Sequence, residues 1–341
     1  MTAFIKSRPN EMTAVLNRDK FDQVPGGIES STEIARWEQY RRNYHLAQQL
    51  HEFADFPLQI DFELNSNCNM RCRHCLHSQK IVEKKELALV DFKKVIDEGE
   101  RYGLCSIKLN YINEPLLKPD LVQYIKYAKA HGILNVYFAT NGILLTQSVG
   151  KQLIEAKLSK IMISIDAVTS QTFVTMRDSY QFNRIVENIK SCIQLRNKLR
   201  VDYPLVRVNF LKTRDNIHEA QRFIDYWTGI ADMIGFQDQV GVPGIIAKSI
   251  SNCSKAALQN YKAGFRCSFP FKMVVVDSMG SILPCCTFSG REMPLGHIDT
   301  MTIKEAWNSS KMARLRAIHK NSSYIINKVC RYCIESIGIE D

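Results

Sequence analysis

Between residues 57 and 239, strand-like and helix-like stretches alternate, and no other feature of the chain constrains its fold as strongly. Residues 58–64 alternate apolar and polar side chains with a period of two, which predicts a strand. Five more strands are predicted, each after a helical stretch, at residues 106–110, 134–139, 160–166, 205–211 and 233–237. Strands joined by helices form a parallel sheet, and such sheets bind ligands at the carboxyl ends of their strands. We therefore predict an α/β fold with its site at the strand exits.

Composition limits where the protein works. With 341 residues, the chain has room for one large domain and one small one. The sequence contains neither a membrane-length apolar run nor an apolar signal-peptide core, so we expect a cytoplasmic protein with no membrane partner. Eleven cysteines in such a chain indicate metal ligands rather than disulfides.

Three cysteines follow the first predicted strand with the spacing C-x3-C-x2-C: Cys68, Cys72 and Cys75. Three thiolates this close can bind three irons of a 4Fe–4S cluster and leave the fourth iron without a protein ligand. An open iron can bind a small chelating cofactor. A zinc ion whose site is completed by His74 or His77 is the alternative.

This arrangement resembles the radical S-adenosylmethionine (radical SAM) superfamily. In that family the methionine part of S-adenosyl-L-methionine (SAM) chelates the open iron, and one electron breaks its sulfonium bond to release a carbon radical. The resemblance implies a partial (β/α)6 TIM-like barrel over residues 57–239, with a 4Fe–4S cluster and SAM at its strand exits. Residues 1–56, predicted as an N-terminal arm and an amphipathic helix, are not covered by it.

The resemblance also implies cofactor contacts after the second and third strands. Asn113-Glu114-Pro115 stands where the family places a Gly-Gly-Glu-Pro-like segment, whose backbone meets the amino group of SAM. This chain keeps the acid and the proline but replaces both glycines. Thr140 begins a Thr-Asn-Gly segment that the family also has. Ordinary turns, stiffened by proline in the first case, are the alternative.

Further cofactor contacts are implied near the fourth and sixth strands. By family analogy Ser164 and Arg177 bind SAM, whereas Asp166 would cap the next helix in the plain alternative. His74 stands where the family usually has an aromatic residue near the adenine, and its planar ring can stack. Gln237 ends the sixth strand, where its amide can reach the cavity or satisfy sheet backbone.

A second group of cysteines occupies the C-terminal region. Cys267 is followed by twelve residues, Gly280, four residues and Cys285, and a Cys330-x2-Cys333 pair comes later. Four cysteines from a hairpin and a terminal pair can enclose a cluster, or alternatively a zinc ion. The order resembles the SPASM or shortened twitch extension of radical SAM enzymes. It implies one auxiliary 4Fe–4S cluster in a small α+β domain over residues 240–341.

Two other cysteines leave questions open. Cys286 competes with Cys285 as a ligand, and the spacing from the glycine favours Cys285. Cys253 lies in the connector between the predicted domains, either as an incidental loop cysteine or as a hydrogen donor to a substrate radical. In the second case the reaction is an epimerisation. If the auxiliary cluster accepts the electron instead, it is a dehydrogenation.

The resemblance implies reductive cleavage of SAM and abstraction of a substrate hydrogen atom. We favour a small polar substrate, resembling a carbohydrate or aminocyclitol, because residues 1–56 are too few and too helical for the recognition domain of many peptide maturases. A peptide-modifying maturase is the alternative, and a metal-bound scaffold protein is a third reading.

The net charge of +10 indicates which kinds of partner the protein could bind. Eight Lys or Arg and only two acids lie between Arg184 and Arg214, which indicates a solvated helix face. An anionic substrate or an acidic electron-donor protein, such as a flavodoxin or ferredoxin, is the functional alternative. Aromatic residues that would stack on bases are sparse there, so no nucleic-acid partner is expected.

Overall fold

The computed structural model describes residues 23–28, 30–51, 55–79, 83–238 and 262–335, together with the backbone of residues 13–16. Within them the strands are β1 (Thr13–Leu16), β2 (Gln59–Phe62), β3 (Ser106–Lys108), β4 (Asn135–Thr140), β5 (Lys160–Ser164), β6 (Leu205–Lys212), β7 (Met233–Asp238), β8 (Met273–Val276), β9 (Ser281–Leu283) and β10 (Gly296–His297). The helices are α1 (Ser31–Gln48), α2 (Leu76–Gln79), α3 (Leu89–Arg101), α4 (Leu121–Ala130), α5 (Gln147–Glu155), α6 (Ser170–Arg177), α7 (Phe182–Lys198), α8 (Ala220–Trp227), α9 (Ile303–Trp307), α10 (Ser310–Lys320) and α11 (Lys328–Glu335).

The strands form one sheet in the order β1-β7-β6-β5-β4-β3-β2-β8-β9-β10. From β2 to β7, neighbours in the sheet are also neighbours in the chain, and each pair is parallel. The six predicted strands are therefore confirmed, as is the α/β fold with a parallel, barrel-like sheet. None of the described helices has the length and apolar character needed to span a membrane.

Each strand presents an apolar face to the helices and a polar face to the interior of the barrel. The apolar positions, such as Val206, Val208 and Phe210 in β6, join a single core with helix residues such as Phe223. Burying a large apolar side chain contributes about 1.5–3 kcal/mol, so this face fixes the register of the strands. The alternate positions point the other way, and many are buried and polar: Asp61, Glu63, Asn110, Lys160, Arg207 and Asn209.

Helix α1 covers the amino-terminal end of the barrel. Ser30 caps it by accepting a hydrogen bond from the Glu33 N–H at 3.2 Å, and Trp37 and Tyr40 pack into a small buried cluster that includes Leu134, just before β4. The helix was predicted over residues 31–53 but ends at Gln48, and residues 52–54 lie outside the described part of the chain.

Two elements were not predicted. Residues 1–30 were expected to form an extended arm, but within them β1 pairs antiparallel with β7 at the edge of the sheet. Helix α6 also went unpredicted. Its cap is Thr169, whose hydroxyl accepts a hydrogen bond from the Thr172 N–H at 3.3 Å, so the interpretation of Asp166 as a helix cap is wrong.

The C-terminal hairpin of β8 and β9 is confirmed, and it continues the barrel sheet because β8 pairs parallel with β2. Gly280 closes its turn with φ +86°, a conformation that favours glycine. A Cβ at this position would also lie 2.8 Å from His297 Nε2. The division of the chain at residues 239 and 240 remains a prediction, although strands from both sides share one sheet.

Candidate functional site

The predicted cluster cysteines lie in the loop that leaves β2. The Cys75 N–H donates to the Cys72 carbonyl at 3.1 Å, which folds the loop into a turn, and Cys72 is buried while Cys68 is partly exposed. Burial raises the pKa of Cys68 to about 11 and also raises the pKa of Cys75. Without a metal these two thiols therefore stay protonated at neutral pH, and metal binding has to release their protons.

A charged group stands beside the cysteine loop. Asp166 follows β5 in a left-handed conformation, with φ +63°, and forms an ion pair with Arg177. The Asp166 carboxylate also accepts the Leu211 N–H at 2.7 Å, and Arg177 Nη1 lies 3.5 Å from Cys72 Sγ. Arg177 is thus held against a cluster cysteine by a buried carboxylate, which places a fixed positive charge at the proposed cluster.

His74 belongs to the same group, because its Nε2 lies 3.8 Å from the Asp166 carboxylate. Burial, reinforced by the nearby positive charge of Arg177, lowers the pKa of His74 to about 4. The ring is therefore neutral at physiological pH, as the predicted stacking role requires.

Glu114 connects three loops of the strand-exit edge. Its carboxylate accepts hydrogen bonds from the Leu116 N–H at 3.0 Å, from the Thr140 hydroxyl at 2.7 Å and from the Asn141 N–H at 2.7 Å. Its own N–H donates to the Asn67 carbonyl at 2.8 Å, just before the cluster loop. Glu114 and Thr140 are therefore hydrogen-bonded to each other, and the contacts of Glu114 hold the loops after β2, β3 and β4 in position.

Asn113 differs from Glu114 because part of its side chain remains available. Its Oδ1 accepts the Tyr111 N–H at 2.9 Å, whereas its Nδ2 is buried and has no hydrogen-bond partner in the described part of the chain. Buried amide groups are rarely left unpaired. A bound molecule at the strand exits would supply the missing acceptor.

The remaining predicted positions lie on β5 and β7. Ser164 pairs in register with Asn209, whose buried Oδ1 likewise lacks a hydrogen-bond partner among the described residues. Gln237 is exposed, and the described residues show no hydrogen bond from it to another predicted site residue. The structure therefore brings together the residues near β2 to β5 and leaves Gln237 apart.

The C-terminal cysteines converge below the β8–β9 hairpin. Cys285 follows β9, and Cys330 and Cys333 lie one turn apart on α11. Burial raises the pKa of Cys267, Cys330 and Cys333 to about 12 each, and a charge on Cys285 would raise all three further. Cys285 is thus near each of the other three thiols, which supports it as the fourth ligand.

Cys286 lies beside the same thiols and is partly exposed. Burial raises its pKa to about 12, and the charges that act on it are those of Cys285 and Cys267 as well as those of Asp61 and Lys108 on the inner face of the barrel. Sequence reasoning also missed His319, a buried ring that accepts the Cys267 N–H at 3.2 Å and lies 3.4 Å from Cys330 Sγ. No sequence spacing marks this histidine.

The donor chemistry of both groups fits iron–sulfur clusters, since each consists of thiols. Four cysteine thiols also suit a zinc ion, which is the alternative at the C-terminal group.

A buried network joins the barrel to the C-terminal region. Arg291 forms an ion pair with Glu63, which also accepts the Ser278 hydroxyl at 2.9 Å. The Arg291 guanidinium lies 5.3 Å from the centre of the Tyr111 ring, and the Tyr111 hydroxyl donates to the Thr287 carbonyl. Tyr111 is two residues from Asn113, so this network links the strand-exit edge to the loop of Cys285.

The fold and these two cysteine groups define an iron–sulfur enzyme built on a partial parallel barrel. Residues 62–211 match the Radical SAM superfamily, and residues 267–334 match SPASM, an iron-sulfur cluster-binding domain. The chain belongs to the radical SAM superfamily and carries a SPASM domain. It is therefore an enzyme that uses a 4Fe–4S cluster and SAM, together with an auxiliary cluster.

Among curated proteins the chain is similar to the mycofactocin maturase MftC of Mycobacterium tuberculosis H37Rv, with 29% identity over 182 residues. The match covers 52% of this chain and 44% of the maturase, so the chain spans about half the length of this curated relative.

Among solved structures it is similar to BtrN in complex with AdoMet and 2-DOIA, with 20% identity and a TM-score of 0.58 over 83% of this chain and 94% of BtrN. Streptococcus suis SuiB bound to S-adenosylmethionine gives 14% identity and a TM-score of 0.60 over 92% of this chain and 83% of SuiB. At these identities the structures show a shared fold.

Proposed function

We propose that the enzyme abstracts a hydrogen atom from a small polar molecule bound inside the barrel, with Cys68, Cys72 and Cys75 as the ligands of its SAM-cleaving cluster. The cluster and SAM together supply the carbon radical that removes the hydrogen. The observation that carries the proposal is the polar inner face of the strands, which opens towards the cysteine loop. Pockets for small polar ligands need a few fixed hydrogen-bonding groups on a rigid scaffold.

The chain's own residues would hold and orient the reactants. Glu114 fixes the loops after β2, β3 and β4, and Arg177 sets a positive charge beside Cys72. The unpaired Asn113 Nδ2 and Asn209 Oδ1 offer a donor and an acceptor to bound molecules. Helix α1 closes the far end of the barrel and excludes water from it.

Two findings bear on the class of substrate. The similarity to BtrN, solved with 2-DOIA, extends over nearly all of that protein and supports a small molecule. The similarity to a mycofactocin maturase, and to SuiB, which is also solved with the precursor peptide SuiA, supports a peptide-modifying enzyme as the second candidate.

The substrate class can be tested by the rate at which the reduced, reconstituted protein forms 5′-deoxyadenosine. A true substrate consumes the radical by giving it a hydrogen atom. The rate of 5′-deoxyadenosine formation should therefore rise several-fold with a fraction of cell metabolites from which peptides have been removed. The control is the whole boiled extract, which still contains its peptides, tested before and after treatment with a peptidase, because the peptidase destroys only peptides. Stimulation that disappears after peptidase treatment would favour the maturase.

For the outcome of the reaction, we propose epimerisation, in which the Cys253 thiol gives its hydrogen atom to the substrate radical. The thiyl radical that remains is reduced to the thiol by one electron from the electron-donor protein and a proton from water. Cys253 lies outside the described residues, so the proposal rests on its place in the sequence. In heavy water the product should gain one deuterium at the inverted carbon, and Cys253→Ala should lose the product while still forming 5′-deoxyadenosine. An unlabelled oxidised product, formed equally by both proteins, would establish dehydrogenation instead.

An acidic electron-donor protein such as a flavodoxin or ferredoxin remains part of the proposal. The basic stretch from Arg184 to Arg214 does not form one solvated helix face, because Arg196, Arg207 and Lys212 are buried. The exposed basic residues of this stretch, which include Arg184 and Arg214, are the ones that an electron-donor protein could contact.

A further inference from the structure

Arg207 is a buried cation on the inner face of β6. Its side chain is only 6% exposed, its Nε has no hydrogen-bond partner, and no carboxylate pairs with it in the described part of the chain. Burial lowers the pKa of Arg207 to about 10, so the guanidinium is charged at neutral pH. An unpaired buried charge costs several kcal/mol, and proteins rarely keep one without a partner.

The guanidinium is directed towards the strand exits. Arg207 pairs in register with Met233, whereas Asn209 pairs with Gly235. A Cβ on Gly235 would overlap Nη2 and Nε of Arg207, so the side chain reaches forward over Gly235, one pleat closer to the carboxyl ends. A glycine in the middle of a strand often marks such a close approach.

The acidic residues on the inner face of the barrel already have other cationic partners than Arg207. Asp61 lies 3.6 Å from Lys108 Nζ, and Glu63 forms its ion pair with Arg291. Lys160 adds a second buried positive charge, with its Nζ 5.9 Å from the centre of the Tyr137 ring.

We propose that Arg207 binds an oxyanion of the substrate, a carboxylate or a phosphate. The inference rests on the proposed function, because it assumes that the barrel holds the substrate. A guanidinium fork binds either group with two parallel hydrogen bonds. Because the guanidinium lies over Gly235, which pairs with Asn209, the anionic end of the substrate lies at about the level of Asn209 and its register partner Ser164. This narrows the substrate class to small polar acids or to peptides bound through a carboxylate.

The test uses the full-length, cluster-reconstituted protein and two probes, inorganic phosphate and succinate, titrated by calorimetry at constant ionic strength. Wild type should bind one of them, which distinguishes a phosphate site from a carboxylate site. Arg207→Gln should weaken that binding at least tenfold. Gly235→Ala should weaken it similarly, since it displaces the guanidinium while keeping the charge. Arg184→Gln, an exposed change on α7, should have no effect.

The rate of 5′-deoxyadenosine formation in the absence of substrate tests the proposed function independently of this inference. Arg207→Gln should keep the wild-type rate and the wild-type KM for SAM. A raised KM for SAM would mean that Arg207 meets the cofactor, and would overturn the inference. Binding unchanged in Arg207→Gln and in Gly235→Ala, or absent from a wild type that cleaves SAM normally, would also overturn it. A wild type that binds the anion but cleaves no SAM would contradict the proposed function alone.

Discussion

Replacing Cys68, Cys72 and Cys75 together with alanine should abolish the formation of 5′-deoxyadenosine from SAM. The three thiols are the proposed ligands of the cluster, and their loop is fixed by hydrogen bonds from Glu114 and around Cys72. Without the cluster, the side chains of the protein cannot supply the electron that cleaves SAM. We expect a loss of at least about three orders of magnitude, or about 4 kcal/mol in the barrier.

The measurement is chromatography of 5′-deoxyadenosine from anaerobically reconstituted protein reduced with dithionite. Cys105→Ala is the matched control, because Cys105 is a buried thiol that packs with the apolar side chains beneath α1, away from the strand exits. It should cleave SAM at the wild-type rate. Cleavage at a normal rate by the triple variant would show that the cluster is held elsewhere.

The second large effect is expected at the auxiliary site. Wild type should contain about eight irons per chain for two cubanes, and Cys285→Ala should lower this to about four. Cys286→Ala should retain about eight, because a charge on Cys285 acts on Cys267, Cys330 and Cys333, whereas a charge on Cys286 acts on Cys333 alone among these three. Anaerobic iron and sulfide analysis measures both variants directly.

The paired variants also discriminate between the possible ligands and metals. A loss of four irons in Cys286→Ala, with none in Cys285→Ala, would exchange the two assignments. Zinc in place of iron at the C-terminal cysteines would leave wild type with about four irons and one zinc. In that case the SPASM region would have a structural role in this protein.

The barrel could be predicted because its information is local. Along β6, Val206, Val208 and Phe210 alternate with Arg207 and Asn209, and this period alone separates the face that packs on helices from the face that lines the interior. The spacing of Cys68, Cys72 and Cys75 is equally local, whereas the C-terminal cysteines are spread over residues 267–333. Both sets of ligands stay predictions.

Long-range pairings could not be predicted in this way. Glu63 and Arg291 are 228 residues apart, and no periodicity connects them. A helix cap was the plain alternative for Asp166 because Asp is common at caps, but its left-handed backbone turns its carboxylate towards Arg177. Strand β1 was missed because an edge strand of four residues carries little pattern of its own.

The parallel pairing of β8 with β2 has a consequence for electron movement through the molecule. The cysteine loop leaves β2 and Cys285 leaves β9, and these two strands are two strand spacings, about 10 Å, apart in the same sheet. Because β8 runs parallel to β2 and β9 runs antiparallel to β8, Cys285 leaves the sheet at the end opposite to the cysteine loop. The shared ladder opposes the relative motion expected of a separate C-terminal module. An electron that moved between the two proposed centres would have to cross the length of these short strands as well as the spacing between them.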